Sequence, residues 1–169
     1  MVMKETTLCY IRHQGKTLMM HRIRKQNDEN EGKWVGIGGK LEPGESPETC
    51  LLREVREETA LTLDSWEYRG IVDFVSDRWE EEYMHLFTAE VSAPGPLPDC
   101  DEGVLSWVEN GKLSSLPMWE GDRVFFDLLD AGSPFFRLRL EYRGEALISH
   151  RLLGEEEFWG GSHGTVSDY

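Results

Sequence analysis

Residues 39–61 read GKLEPGESPETCLLREVREETAL, and the fold is decided there. Pro43-Gly44 marks a turn. Ser46-Pro47 then opens a helix: serine caps well, proline suits the first helical position, and Glu48 places negative charge at the positive end. The helix is expected to run to about Ala60, with Leu51, Leu52 and Val55 on its core side. At about 100° per residue, Glu57 falls about 60° to one side of Glu54 and Glu58 about 40° to the other. The three carboxylates therefore share one arc beside the apolar stripe. Such a face is either solvated surface or a set of hard oxygen ligands. Magnesium and manganese use the latter, completed by water and phosphate.

Upstream, Trp34-Val35-Gly36-Ile37-Gly38-Gly39 is short and glycine-punctuated, as where a backbone approaches another group closely. Residues 6–13 and 17–21 are β-rich and flank Gln14-Gly15-Lys16, a hairpin signal, and residues 22–33 read as a polar loop. Downstream, strands are expected at about 66–75 and 82–91, followed by a proline-rich acidic loop over 92–103 and a short strand over 105–108. Residues 120–131 predict a second helix with Val124, Phe125, Leu128 and Leu129 inward. A final hairpin pairs 135–142 with 145–152 around Arg143-Gly144. Strands outnumber helices but both recur, so the fold class is α+β, a mixed α/β sandwich in one domain over 1–153. The Gly-, Glu- and Ser-rich tail over 154–169 reads as flexible apart from Phe158-Trp159.

The chain has 169 residues and a net charge of −14. That charge, with no basic stripe to offset it, disfavours binding to DNA or RNA polymers. It is compatible with a free nucleotide when divalent cations sit between the acidic groups. Cys9, Cys50 and Cys100 are odd in number and far apart, which fits reduced thiols rather than a disulfide framework or a zinc site. No histidine pair has HExxH spacing. No apolar run approaches the roughly 20 residues of a membrane span. Residues 1–9 lack signal-peptide character, so a cytoplasmic location is expected.

Around the helix, Gly39-x5-Glu45-x7-Arg53-Glu54-Val55-x-Glu57-Glu58-x-Ala60-Leu61 resembles the Nudix box, GX5EX7REUXEEXGU, where U is aliphatic. Every fixed position matches except the last glycine, which is Ala60 here. The resemblance implies a Nudix fold, a mixed sheet between helices, and hydrolysis of a nucleoside diphosphate linked to another moiety. It implies Mg2+, or Mn2+, held by Glu57 and Glu58, with Glu54 as a further ligand or the base, and with the Gly38 carbonyl as a ligand. Arg53 and Glu45 are implied to brace the loop.

The stretch from about 6 to 150 is further similar to the MutT branch, which hydrolyses oxidised purine nucleoside triphosphates, chiefly 8-oxo-dGTP. Gly32-Lys33-Trp34-x-Gly36-x-Gly38-Gly39-Lys40, Asp101-Glu102 and Trp119-Glu120-Gly121-Asp122 carry this likeness. It implies Glu102 as a late acidic ligand or base, and Arg22 near the phosphates. Trp119 is read as a base-stacking platform or a core residue, Asp122 as a hydrogen-bond partner of the base, and Trp34 as packing. Arg24 could serve in place of Arg22, and Glu102 could be merely solvated. Val35 and Gly121 depart from the mammalian pattern of Asn and Asp, so the base must be recognised differently. Three functions follow: a pool-sanitising 8-oxo-dGTP diphosphatase, linked to DNA repair; a Nudix hydrolase of ADP-ribose, a dinucleoside polyphosphate or an ordinary NTP; or a non-catalytic nucleotide-binding module. Oligomeric state stays open.

Overall fold

A computed structural model describes residues 3–24 and 28–154. The expected tail over 155–169, with Phe158-Trp159, lies outside the described residues. Among the described residues, eight strands form one mixed sheet. They are β1 (Lys4–His13), β2 (Lys16–His21), β3 (Trp34–Val35), β4 (Ser65–Ser76), β5 (Glu82–Glu90), β6 (Val104–Glu109), β7 (Phe136–Arg143) and β8 (Ala146–Leu152). The order is β3-β2-β1-β5-β4-β7-β8, with β6 on the other side of β2. β1 runs parallel to β5 and β4 parallel to β7, while the remaining pairs are antiparallel. The first hairpin turns on Gln14 and Gly15, both at positive φ, as a tight two-residue β-turn requires.

Strand alternation gives the sheet two apolar faces, and each is covered by one helix. α1 (Pro47–Thr59) packs Leu51 and Val55 against Cys9, Ile11, Leu18 and Phe87. α2 (Glu120–Asp130) packs Phe125, Phe126 and Leu129 against Tyr10, Met19, Leu86 and Leu140. Each fully buried Leu or Phe contributes about 1.5–3 kcal/mol. The sandwich expected from sequence is therefore the one observed. No helix among the described residues is long and apolar enough to cross a membrane. The three cysteines are buried and unpaired.

Two orientations differ from expectation. Leu52 is 40% exposed, because it lies about 100° around α1 from Leu51. The buried face of α1 is Cys50, Leu51, Val55, Glu58 and Thr59. In α2, Phe126 is buried, while Val124 and Leu128 are only partly so. The inward face is rotated toward Asp122, which is itself buried.

Candidate active site

Beyond β3 the chain leaves β2 and runs antiparallel to β1. The Thr7 N–H donates to the Gly39 carbonyl at 2.9 Å and the Cys9 N–H to the Ile37 carbonyl at 2.7 Å. This approach requires glycine. A Cβ on Gly38 would lie 1.9 Å from the Thr7 carbonyl oxygen, and one on Gly39 would lie 1.8 Å from Glu54 Oε2. The bare backbone thus rests directly on the carboxylates of α1. The helix starts where the sequence indicates: Ser46 Oγ accepts from the Thr49 N–H at 3.1 Å. It ends with Ala60 at φ 60°, the left-handed position where the box has glycine.

Arg53 ties the loop to the helix. Its fork donates to Glu45 at 2.7 and 2.9 Å, and it also donates to the Lys40 carbonyl at 3.2 Å. Those Arg53 hydrogen bonds, with one from the Glu42 N–H, hold the Glu45 carboxyl down to about 2. The implied brace is present as read.

The other carboxylates are perturbed in the opposite sense. Glu58 is 8% exposed, and its Oε1 has no hydrogen-bond partner. Burial, then the charges of Glu102 and Glu54, push its carboxyl up to about 8, against a backbone hydrogen bond from Gly38. Burial pushes Glu54 to about 7, with Arg53 opposing and Glu57 and Glu102 adding to the rise. Glu102, in the loop before β6, pairs with Arg22 at 3.2 Å, and Arg22 is anchored by Asp28 at 2.8 Å. Arg24 is turned away to the Cys100 carbonyl, leaving Arg22 as the cation beside the acidic group. Glu54, Glu58, Glu102 and Arg22 are therefore brought together.

Glu57 stands at the rim of this group: its side chain is 56% exposed, meets Arg53 at 3.3 Å and hydrogen-bonds to Glu54. Among the described residues, no three His, Cys, Asp or Glu side chains converge tightly enough to hold an ion as they stand. The residues nonetheless fit a divalent cation. An orphaned buried carboxylate oxygen, a second carboxylate cradled on glycine backbone and mutual repulsion among acids are what a hard cation relieves.

A cavity of about 270 Å³ runs from Gly38, Gly39 and Arg22 to Trp119 and Asp122. Its size lies just below the usual range of roughly 300–1,000 Å³ for small-molecule sites. Asp122 is 5% exposed, and burial, then the charge of Glu82, push its carboxyl up to about 8. Trp119 is half-buried: its Nε1–H donates to Asn30 at 2.8 Å, its ring meets Tyr142 edge-on at 5.0 Å, and the Lys33 ammonium lies 4.2 Å from its centroid. It is a wall of the cavity that also packs against the core under α2. Trp34 packs as expected, stacked on His21 at 4.5 Å.

Sequence reading missed Thr6, Glu82 and Trp79 in this cavity. The signal for Glu82 was available: β5 alternates, and Met84 and Leu86 share the face on which Glu82 interrupts the apolar pattern.

Compared with known proteins, the sequence matches the NUDIX domain over residues 4–129. The chain belongs to the Nudix family. Like the relatives it aligns with, it is a Nudix hydrolase. The oxidized purine nucleoside triphosphate hydrolase of Danio rerio is 30% identical over 156 residues, 91% of this chain and 96% of that protein. The uncharacterized Nudix hydrolase YvcI of Bacillus subtilis is 29% identical over 155 residues, 89% of this chain and 94% of that protein. Among solved structures, the MutT protein of Bacillus halodurans superposes with a TM-score of 0.78 at 28% identity, covering 88% of this chain and 97% of that one. Nudix hydrolases act on small nucleotides with a divalent metal, and that chemistry suits the acidic end of the cavity.

Proposed function

We propose that this Nudix hydrolase converts 8-oxo-dGTP to 8-oxo-dGMP and pyrophosphate with Mg2+ or Mn2+, clearing an oxidised precursor before it enters DNA. One observation carries this reading. A single cavity runs from Gly38, Gly39 and Arg22, which rest against Glu58, Glu54 and Glu102, to aromatic walls and a buried, neutral-leaning Asp122. A nucleoside triphosphate has the same polarity, with charge at one end and a flat base at the other. The 30% identity to the zebrafish oxidized purine hydrolase supports the same substrate class.

The carboxylates of Glu54, Glu57 and Glu58 and the Gly38 carbonyl would hold the cation. When bound, it neutralises charge on the phosphate oxygens and lowers the pKa of an attacking water. The remaining work falls to the chain. Glu57 leaves Arg53, from a side chain already half in solvent, to join Glu58. Glu102 or Glu54 accepts the proton of the attacking water, since both stand in one coupled acidic group. Arg22, held by Asp28, orients the phosphates. Trp119 offers its ring to the base, worth about 1–3 kcal/mol. Asp122, protonated near neutral pH, donates a hydrogen bond to a base carbonyl.

A panel of nucleotides assayed with magnesium tests this reading. The expected result is a higher kcat/KM for 8-oxo-dGTP than for dGTP, ADP-ribose or a dinucleoside polyphosphate. Equal rates on 8-oxo-dGTP and dGTP would contradict it. A Glu57→Gln variant that worked in cells as well as the parent would favour a binding module instead.

A further inference from the structure

Glu82 is an acid on a face built for apolar residues. It lies on β5, on the side of the sheet that α2 covers, where Met84 and Leu86 follow it at alternate positions. Its side chain is 18% exposed and lines the cavity. The Thr6 hydroxyl donates to Oε2, and Lys4 Nζ stands 3.6 Å from Oε1. Lys4 in turn pairs with Glu29 at 3.1 Å. Two neighbours thus hold the carboxylate in place, and an ionised carboxylate has about four acceptor sites. Glu82 and Asp122 line the same cavity. Leu8, Phe74, Met84 and Trp119 supply flat, apolar walls around the pair.

We infer that Glu82 is a specificity-determining residue, whose carboxylate accepts an N–H from the edge of the bound base while Asp122 meets a neighbouring atom of that edge. The inference rests on the purine triphosphate reading above and refines it. Two carboxyls that share a cavity do not both ionise readily, so one offers an O–H and the other accepts. That pattern matches a base edge on which a carbonyl sits next to an N–H. It matches a 2-amino-6-oxopurine at the Watson–Crick edge, where one carboxylate takes both N1–H and a 2-amino N–H, and an 8-oxopurine at N7. Val35, which lines the cavity without a polar side chain, leaves this recognition to other lining groups, and Glu82 is placed to supply it.

The test compares substrate pairs within one protein, so that any loss of folded enzyme cancels. The pairs are dGTP with dITP, which lacks the 2-amino group, and 8-oxo-dGTP with dGTP, which lacks the N7–H. The variants are Glu82→Met, which removes the acceptors at similar length, and Glu82→Gln, which removes the charge and turns one of the two acceptor oxygens into an NH2 donor. The parent is expected to favour the donor-bearing member of at least one pair by about tenfold or more. In Glu82→Met that ratio falls to within about threefold, mainly through KM, with Glu82→Gln in between. An even loss across both pairs, with the ratios kept, would mean that Glu82 only anchors Lys4 and would overturn the inference. A parent that does not distinguish either pair overturns it as well. A parent with no purine triphosphatase activity overturns the substrate reading itself, so the two failures are distinguishable.

Discussion

The two ends of the cavity treat carboxyl groups differently: at one they stand behind Gly38, Gly39 and Arg22, at the other they line the wall. At the α1 end, burial and then neighbouring acids raise the pKa of Glu54 and of Glu58, and Glu58 keeps an oxygen with no partner. Arg53 and Arg22 reach Glu54 and Glu102, yet each is shared, Arg53 with Glu45 and Arg22 with Asp28. At the α2 end, Glu82 is held by Lys4 and Thr6, and Asp122 is one acid among apolar walls. The first arrangement has unmet demand for positive charge. The second has demand only for hydrogen-bond partners. A ligand that satisfies both carries a cation-bound charged group at one end and a neutral polar ring at the other. The fold thus separates the chemistry from the choice of substrate.

The largest effect is expected at the acidic end. Glu58→Gln should lower kcat/KM by more than about a hundredfold, and equally for every nucleotide, because it acts on the shared phosphate chemistry. A change in selectivity in this variant would break the separation.

Next comes the linkage between pH and metal. Glu54 and Glu58 have folded pKa values of about 7 and about 8, raised from 4.5. Between about pH 4.5 and 8 the folded protein therefore holds more protons than the unfolded chain. Metal-free stability should fall as pH rises through that window. Asp122, raised from 3.8 to about 8, adds the same sign. Cation binding needs the deprotonated forms, so stabilisation by magnesium should grow over the same range. At a hundred times its Kd, magnesium would add about 2.7 kcal/mol. Thermal melts with EDTA or magnesium from pH 5 to 8 check this, and Glu58→Gln should flatten both trends. Magnesium stabilisation equal at pH 5 and pH 8 would contradict the sign.

At the other end, Asp122→Asn should cost about tenfold to a hundredfold in kcat/KM on a preferred oxidised purine. A triphosphate that makes little use of the base contact should lose far less. If Asp122→Asn slowed all nucleotides alike, the α2 end would belong to the chemistry too.

The smallest effect lies outside both ends. Ala60 is left-handed at φ 60°, and nothing it does involves the cavity. Ala60→Gly should relieve the strain, offset by glycine's greater unfolded-state freedom, for a net gain of about 0.5–1 kcal/mol by urea denaturation. Activity should not change.

The two ends also differed in how far sequence revealed them. The α1 end is built from residues 39–61, where cap, turn and helix spacing are local, so the helix and the arc shared by its carboxylates could be placed by counting, while the brace and the acids' role came from the resemblance. The direction of Glu57 could not, since it depends on competition for Arg53. Glu102 and Arg22 come from distant loops, and only their resemblance to a family linked them to the helix. The α2 end joins β1, β5, the loop before α2 and α2 itself. Thr6 and Glu82 meet because β1 pairs with β5 in parallel across a long separation, and no local pattern encodes that pairing. Trp119 remained ambiguous for the same reason: its partners Asn30, Lys33 and Tyr142 are remote in sequence.

Hydrolysis of 8-oxo-dGTP in 18O-labelled water with magnesium, followed by product analysis, tests both ends at once. The expected products are 8-oxo-dGMP and pyrophosphate, with the label in one of the two marking the phosphorus attacked. Release of orthophosphate with a nucleoside diphosphate, or no turnover of 8-oxo-dGTP, would contradict the proposed reaction.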